Sequence, residues 1–216
     1  MSPFVERLSA RLPARSARPP GVTAAAGVTG LAGGAGVGRG DAASRPPGDG
    51  RRRAAVAAVV HDDPDGPRVL LMKRVDREGD PWSGHISLPG GGFHASDGDL
   101  VTCAIRETEE ELGIDLHATR LIGPLPVVAP LSGGPMGIEV YPFAFVTSVE
   151  LPVVVGPEAL AAFWMPLEHA RAGRFDSTFT YPGTERTFPA WSYEGHVIWG
   201  MTWRILGDLI AAGSPA

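Results

Sequence analysis

Residues 88–114 read Leu-Pro-Gly-Gly-Gly-Phe-His-Ala-Ser-Asp-Gly-Asp-Leu-Val-Thr-Cys-Ala-Ile-Arg-Glu-Thr-Glu-Glu-Glu-Leu-Gly-Ile. The run from Leu100 to Leu112 has helical periodicity, and Gly113 is placed to terminate it. At about 100° per residue, with Glu107 at zero, Glu110 lies near −60° and Glu111 near +40°. These three carboxylates therefore share one arc. Val101, Ala104, Ile105, Thr108 and Leu112 occupy another, suited to packing on a sheet, while Glu109 points elsewhere into solvent. Clustered carboxylates repel one another, and a divalent cation removes that cost. Mg²⁺ prefers such oxygen ligands and commonly brings a phosphate substrate with it. Arg106 flanks the cluster and can pair with an acidic group in the preceding loop. Gly90, Gly91 and Gly92 allow a close backbone turn, leaving main-chain carbonyl and amide groups beside the carboxylates.

Outward from this stretch, the chain divides into three parts. Residues 1–18 form an N-terminal arm whose segment 2–12 reads as a short amphipathic helix, with Phe4, Val5, Leu8 and Leu12 on one side and Pro13 as its stop. Residues 19–53 form a linker. Its span from Pro19 to Gly50 holds 10 Gly and 4 Pro in 32 residues, and no aromatic occurs between Phe4 and Trp82. Such a composition cannot offset its ordering entropy, so disorder is expected. Residues 54–213 form the folded domain. Deleting residues 1–50 is accordingly expected to leave activity largely intact.

Within the domain, Arg53–Val60 and Val69–Arg74 read as strands joined in a hairpin by the turn residues 61–67. Strand character recurs at 121–128, 139–146, 163–165, 178–181 and 187–193. Residues 197–211 read as a closing helix, with Ile198, Met201, Thr202, Ile205 and Leu209 on one stripe. The sum is an α+β chain, a mixed sheet between helices in an α/β/α sandwich.

Composition narrows the function. The chain has 216 residues, 29 Gly and 21 Pro, a net charge of −5 and one cysteine. A mildly acidic chain is a poor non-specific nucleic-acid binder, and no apolar run is long enough for a membrane span. Lone Cys103 excludes an internal disulfide framework, and the expected location is cytoplasmic. No His is placed to activate Cys103, which reads as a small buried filler. Only Lys73 among 19 basic residues is a lysine, which reads as compositional bias.

The segment resembles the Nudix hydrolase family, whose box runs Gly, five residues, Glu, seven residues, Arg-Glu-aliphatic-any-Glu-Glu-any-Gly-aliphatic. Arg106, Glu107, Glu110, Glu111, Gly113 and Ile114 match, and Thr108 takes an aliphatic position. In strict register the front half is Gly92 and Gly98. With one extra residue it is Gly91 and Asp97, the preferred reading because it keeps an acidic partner for Arg106.

A further resemblance is to the coenzyme A pyrophosphatase branch, carried by Leu70-Leu71-Met72-Lys73-Arg74-Val75, by Gly84-His85-Ile86-Ser87-Leu88-Pro89-Gly90-Gly91 and by Ile198-Trp199-Gly200-Met201-Thr202. The branch's second Arg is replaced by Asp80-Pro81-Trp82.

The resemblance implies a pyrophosphohydrolase using Mg²⁺ or Mn²⁺. Catalysis would involve Glu107, Glu110, Glu111 and Arg106. Metal would be held by Glu107, Glu110, Glu111 and Gly91. Substrate would meet Arg74, Gly90 and Gly91, and Asp97 and Gly113 would shape the loop. Arg74 is otherwise a surface arginine at a strand end. The expected substrate is coenzyme A or an acyl derivative. Other nucleoside diphosphates linked to a second group (ADP-ribose, nucleotide sugars, dinucleoside polyphosphates) and a non-catalytic nucleotide-sensing module are the alternatives. The expected partner is a small-molecule nucleotide, with no nucleic acid and no membrane, and a homodimer is left open. Trp82, Trp191 and Tyr193 are stacking candidates against a default of core packing. Glu139, Glu158, Glu168 and Glu194 are each available as an additional acidic ligand.

Overall fold

The computed structural model describes residues 1–12, 51–79, 82–129 and 137–215. The linker span 19–50, Pro13, Asp80, Pro81 and residues 130–136 lie outside the described residues.

The centre of the fold is β1 (Arg52–His61), a run of alanine and valine buried on both faces. Even positions Ala54, Val56, Ala58 and Val60 join one apolar core, while Ala55, Ala57 and Val59 join another. A strand's side chains alternate between faces, so two cores require a layer on each side. On one side lies α2 (Leu100–Leu112). On the other are α4 (Gly200–Gly213) and α1 (Pro3–Arg11).

β1 pairs antiparallel with β2 (Arg68–Arg74) through Val60↔Val69 and His61↔Arg68, the expected hairpin. Beyond this contact the two strands splay. β2 turns to pair with β3 (Ile86–Ser87), and the lower half of β1 takes up β4 (Gly90–Gly92). This divergence opens a gap at the end of β2 beside the glycine loop. With β5 (Arg120–Pro124), β6 (Ile138–Thr147) and β7 (Ala159–Pro166) the mixed sheet has seven strands among the described residues, and β6 runs parallel to β1 over its whole length. After the short α3 (Leu167–Arg171) come β8 (Asp176–Thr180), β9 (Thr187–Tyr193) and β10 (His196–Trp199), a separate three-stranded sheet. The architecture is α+β, helices packed on both faces of a mixed sheet.

Two expectations need correction. Residues 197–199 are strand, not helix. Val197 is exposed and Ile198 fully buried, and these residues pair with Ser192, Trp191 and Ala190. The two-residue turn Glu194-Gly195, both at positive φ, closes that hairpin. Gly200, at φ 63, then breaks the strand and starts α4. The strand expected at 163–165 extends over Ala159–Pro166 because it pairs with all of β2.

The N-terminal helix is an integral layer. Phe4, Val5, Leu8 and Leu12 are buried in the α4-side core. Phe4 packs over Gly213, where any Cβ would overlap its ring. Arg7 donates to the Gly213 carbonyl at 2.8 Å, and Arg11 to those of Ala211 and Ser214 at 3.0 and 2.8 Å, satisfying the open end of α4. Removing residues 1–50 would expose this apolar surface.

Candidate active site

The glycine loop is sewn onto β1: Ala57 donates to Pro89 O at 2.8 Å and Phe93 to Arg53 O at 2.9 Å. Gly90 sits at φ 147 with its Cα against the β1 backbone, a position only glycine can occupy. A short 3₁₀ turn at Ala95–Asp97 then leads into α2, whose first turn is capped by Asp99 accepting from Thr102 N at 2.8 Å. At its far end Gly113 adopts the left-handed conformation at φ 65. The segment 154–156 seals that end, with Val154 N and Gly156 N donating to Leu112 O and Glu111 O at 2.9 and 2.8 Å. A Cβ on Gly156 would overlap the Glu110 carbonyl.

The loop and helix are locked by Arg106. Its Nε and Nη2 donate to the two carboxylate oxygens of Asp97 at 2.7 and 3.2 Å, and Nη2 also reaches Gly92 O at 3.2 Å. Burial opposes the Asp97 charge, but the hydrogen bonds from Arg106 and His94 N–H outweigh it and hold the carboxyl below its ordinary value. The acidic partner in the one-residue-longer register is therefore present.

Glu107, Glu110 and Glu111 line one cleft of about 640 Å³ with Arg74, Gly90, Gly91, Gly92, His94, Arg106, Pro157 and Glu158. Their surroundings differ. Glu110 is exposed and pairs with Arg106 at 3.1 Å. Glu107 is mostly covered, 2.9 Å from the same guanidinium. A Cβ on Gly91 would overlap the Glu107 carboxylate. Glu111 is 2% exposed. It accepts from Gly90 N at 2.8 Å and lies 3.8 Å from Arg74 Nη1. Burial pushes Glu111 up to about 7 against the pull of the Gly90 N–H and Arg74, and the negative charges of Glu107 and Glu158 add to the rise. Burial also raises Glu107, opposed by Arg106.

These residues fit a hard divalent cation by donor chemistry. The cleft gathers hard carboxylate oxygens, and burial raises the proton affinity of two of them, Glu107 and Glu111. Among the described residues no three His, Cys, Asp or Glu side chains already stand close enough together to hold an ion. Arg106 occupies Glu107 and Glu110 instead.

Of the sequence candidates, Arg74, Gly90, Gly91, Arg106, Glu107, Glu110 and Glu111 share the cleft. Asp97 and Gly113 act at the loop and the helix end. The Gly91 carbonyl faces α2 near the Cys103 thiol, 3.7 Å away. Cys103 itself is fully buried. Burial and the charges of Asp97 and Glu107 raise its thiol to about 12, which leaves no thiolate at neutral pH.

Sequence spacing could not choose among four extra acids, and the fold brings Glu158 to the cleft. Glu139 pairs with Arg51 at 3.1 Å, and Glu168 pairs with Arg171 at 2.7 Å. His94 and Pro157 also line the cleft, without a sequence signal. Trp191 is a core residue, and Tyr193 packs between Phe163 and Phe175.

Comparison with known proteins agrees with this geometry. The NUDIX domain family profile matches residues 51–182. A Salmonella paratyphi B protein described as "Uncharacterized Nudix hydrolase NudL" is 32% identical over 163 residues, covering 74% of this chain and 81% of the relative. Among solved structures, a NUDIX hydrolase from Alicyclobacillus acidocaldarius has a TM-score of 0.52 at 19% identity, covering 76% of this chain and 93% of that one. A MutT/nudix family protein from Enterococcus faecalis has a TM-score of 0.51 at 17% identity, covering 76% and 62%. A matched domain over more than half the chain, a relative at this identity and a shared fold lead to one conclusion: the chain belongs to the Nudix family and is a hydrolase.

Proposed function

We propose that the chain is a metal-dependent pyrophosphohydrolase that cleaves the diphosphate of coenzyme A or an acyl derivative into 3′,5′-ADP and (acyl-)4′-phosphopantetheine. The observation that carries the hydrolytic part is one cleft lined by Glu107, Glu110, Glu111 and Glu158 together with Arg74 and the glycine loop. Support for coenzyme A is the packing of the three segments with branch-like motifs. β2 pairs with β3, and Thr202 Oγ1 donates to Ile86 O at 2.9 Å. They therefore form one wall, ending at Arg74.

Glu107, Glu110 and Glu111, with the Gly91 carbonyl and Glu158 nearby, would hold Mg²⁺ or Mn²⁺. When bound, the ion supplies charge neutralisation at the phosphate oxygens and lowers the pKa of a water. The chain's own groups do the rest. Arg74 opposes the charge of the diphosphate and orients it. Glu107, held under Gly91, orients the attacking water and accepts its proton. Arg106, tied to Asp97, keeps the loop and helix in register so that these groups stay aligned. Water adds to one phosphorus and the P–O–P bond breaks, giving two phosphate monoesters.

The test is a panel of coenzyme A, acetyl-coenzyme A, ADP-ribose and a dinucleoside polyphosphate, each with Mg²⁺ and with Mn²⁺. Coenzyme A is expected to give the highest kcat/KM and 3′,5′-ADP as product. Preference for ADP-ribose or a dinucleoside polyphosphate would replace the substrate, and no turnover across the panel would overturn the proposal.

A further inference from the structure

Beside the cleft the small β-sheet carries an aromatic face that neither core absorbs. Its two faces differ because strand side chains alternate. Trp191 and Ile198 point into the α4-side core. The opposite face carries Phe179 and Phe188, which are cross-strand partners, and Trp199, the partner of Ala190. Phe179 and Trp199 stack with centroids 4.0 Å apart and 21° between planes. Phe188 and Tyr181 flank Trp199 at 5.7 and 6.0 Å. None of the four is fully buried, and Tyr181 is 46% exposed.

A chain of contacts links this face to the cleft. β2 and β3 pair as Met72↔Ser87 and Lys73↔Ile86. The same register continues to Arg74 and His85, where Arg74 N donates to His85 O at 3.0 Å. Cross-strand partners project from the same side of a sheet, with Cβ atoms about 5 Å apart. The His85 ring, on that side, meets the Trp199 ring edge-on at 5.1 Å. The aromatic face thus begins one cross-strand neighbour away from the guanidinium that lines the diphosphate cleft.

We infer that Phe179, Tyr181, Phe188 and Trp199 form the platform on which the purine base of a nucleotide substrate stacks while its diphosphate lies at Arg74. The inference rests on the diphosphate reading of the cleft. A flat, half-exposed aromatic surface suits a planar base, since every base offers a π-face. Its adjacency to a phosphate-binding cation favours a nucleotide over a protein strand or a lipid chain. Trp82, Trp191 and Tyr193, the stacking candidates from sequence, are not part of this set.

The experiment uses the full-length chain in EDTA and titrates adenosine 3′,5′-bisphosphate while tryptophan fluorescence is read, with ribose 5-phosphate as the control. The nucleotide is expected to quench, the control not to, and Trp199→Phe to remove most of the change. Phe179→Ala and Tyr181→Ala should weaken binding by about 5- to 100-fold and raise KM far more than they lower kcat. Tyr181→Phe should retain wild-type affinity. If Phe179→Ala does not fold, the exposed Tyr181 variant carries the test. Equal binding of nucleotide and ribose 5-phosphate, or unchanged affinity in folded variants, would overturn the platform. Self-association lost in Tyr181→Ala, with no nucleotide quench, would assign the face to a second copy and overturn it too. A chain that hydrolyses diphosphates while ignoring these variants refutes the platform alone. One that binds nucleotide here but hydrolyses no diphosphate refutes the pyrophosphohydrolase reading alone.

Discussion

Replacing Glu111 by Gln separates what the buried carboxylate costs the fold from what it gives the site. Glu111 is 2% exposed, and its proton affinity rises from an ordinary 4.5 to about 7. The folded state therefore binds a proton more tightly than the unfolded state. Stability from this group is fully present below pH 4.5 and is lost as pH rises through about 7. At 1.36 kcal/mol per pH unit the full penalty is about 3 kcal/mol. Between pH 5 and pH 8 about 2–3 kcal/mol of it develops. Gln mimics the protonated acid and can still accept from Gly90 N. Urea unfolding in EDTA should show Glu111→Gln gaining about 2–3 kcal/mol on the wild type between pH 5 and pH 8. Saturating Mg²⁺ should then stabilise the wild type and narrow the gap. A gap that does not change with pH, or a variant less stable than wild type at pH 8, would refute the burial argument.

Other outcomes follow from individual contacts. Leu8→Ala in α1 should cost about 2–5 kcal/mol in denaturant unfolding, because Leu8 is fully buried in the α4-side core. A loss under about 0.5 kcal/mol would mean that the helix does not dock. Gly91→Ala should lower kcat about 100-fold by displacing Glu107. Gly92→Ala, with no neighbour in reach of a Cβ, should leave unfolding midpoints unchanged. Asp97→Asn should destabilise by about 3 kcal/mol at pH 7, since it leaves Arg106 without its bidentate partner. Because the Asp97 pKa is lowered in the fold, that deficit should shrink as pH falls below the unfolded value of 3.8.

The parts of this molecule that were legible in the sequence are local. Glu107, Glu110 and Glu111 share a face because helical spacing alone requires it, and Gly113 ends the helix by its own conformational freedom. The β1–β2 hairpin was readable because the six turn-forming residues 62–67 separate two apolar runs. Features depending on distant chain were not readable. Nothing in the alternation of β1 names β6 as its parallel neighbour. Glu111 reads as one of three similar carboxylates, yet the loop at Gly90 covers it and segment 154–158 closes over the end of its helix. The same segment selects Glu158 from four candidates. Residues 197–199 continue an apolar stripe that suits a helix, whereas the Glu194-Gly195 turn makes them the second strand of a hairpin.

Initial rates decide whether the carboxylate cleft hydrolyses a diphosphate with a divalent ion. Coenzyme A and ADP-ribose hydrolysis would be measured in saturating Mg²⁺ for the wild type and for the paired variant Glu110→Gln/Glu111→Gln. The paired variant is expected to lose at least about a thousandfold in rate while keeping wild-type secondary structure and an unfolding midpoint no lower than that of the metal-free wild type. Turnover by the folded paired variant at the wild-type rate would contradict this.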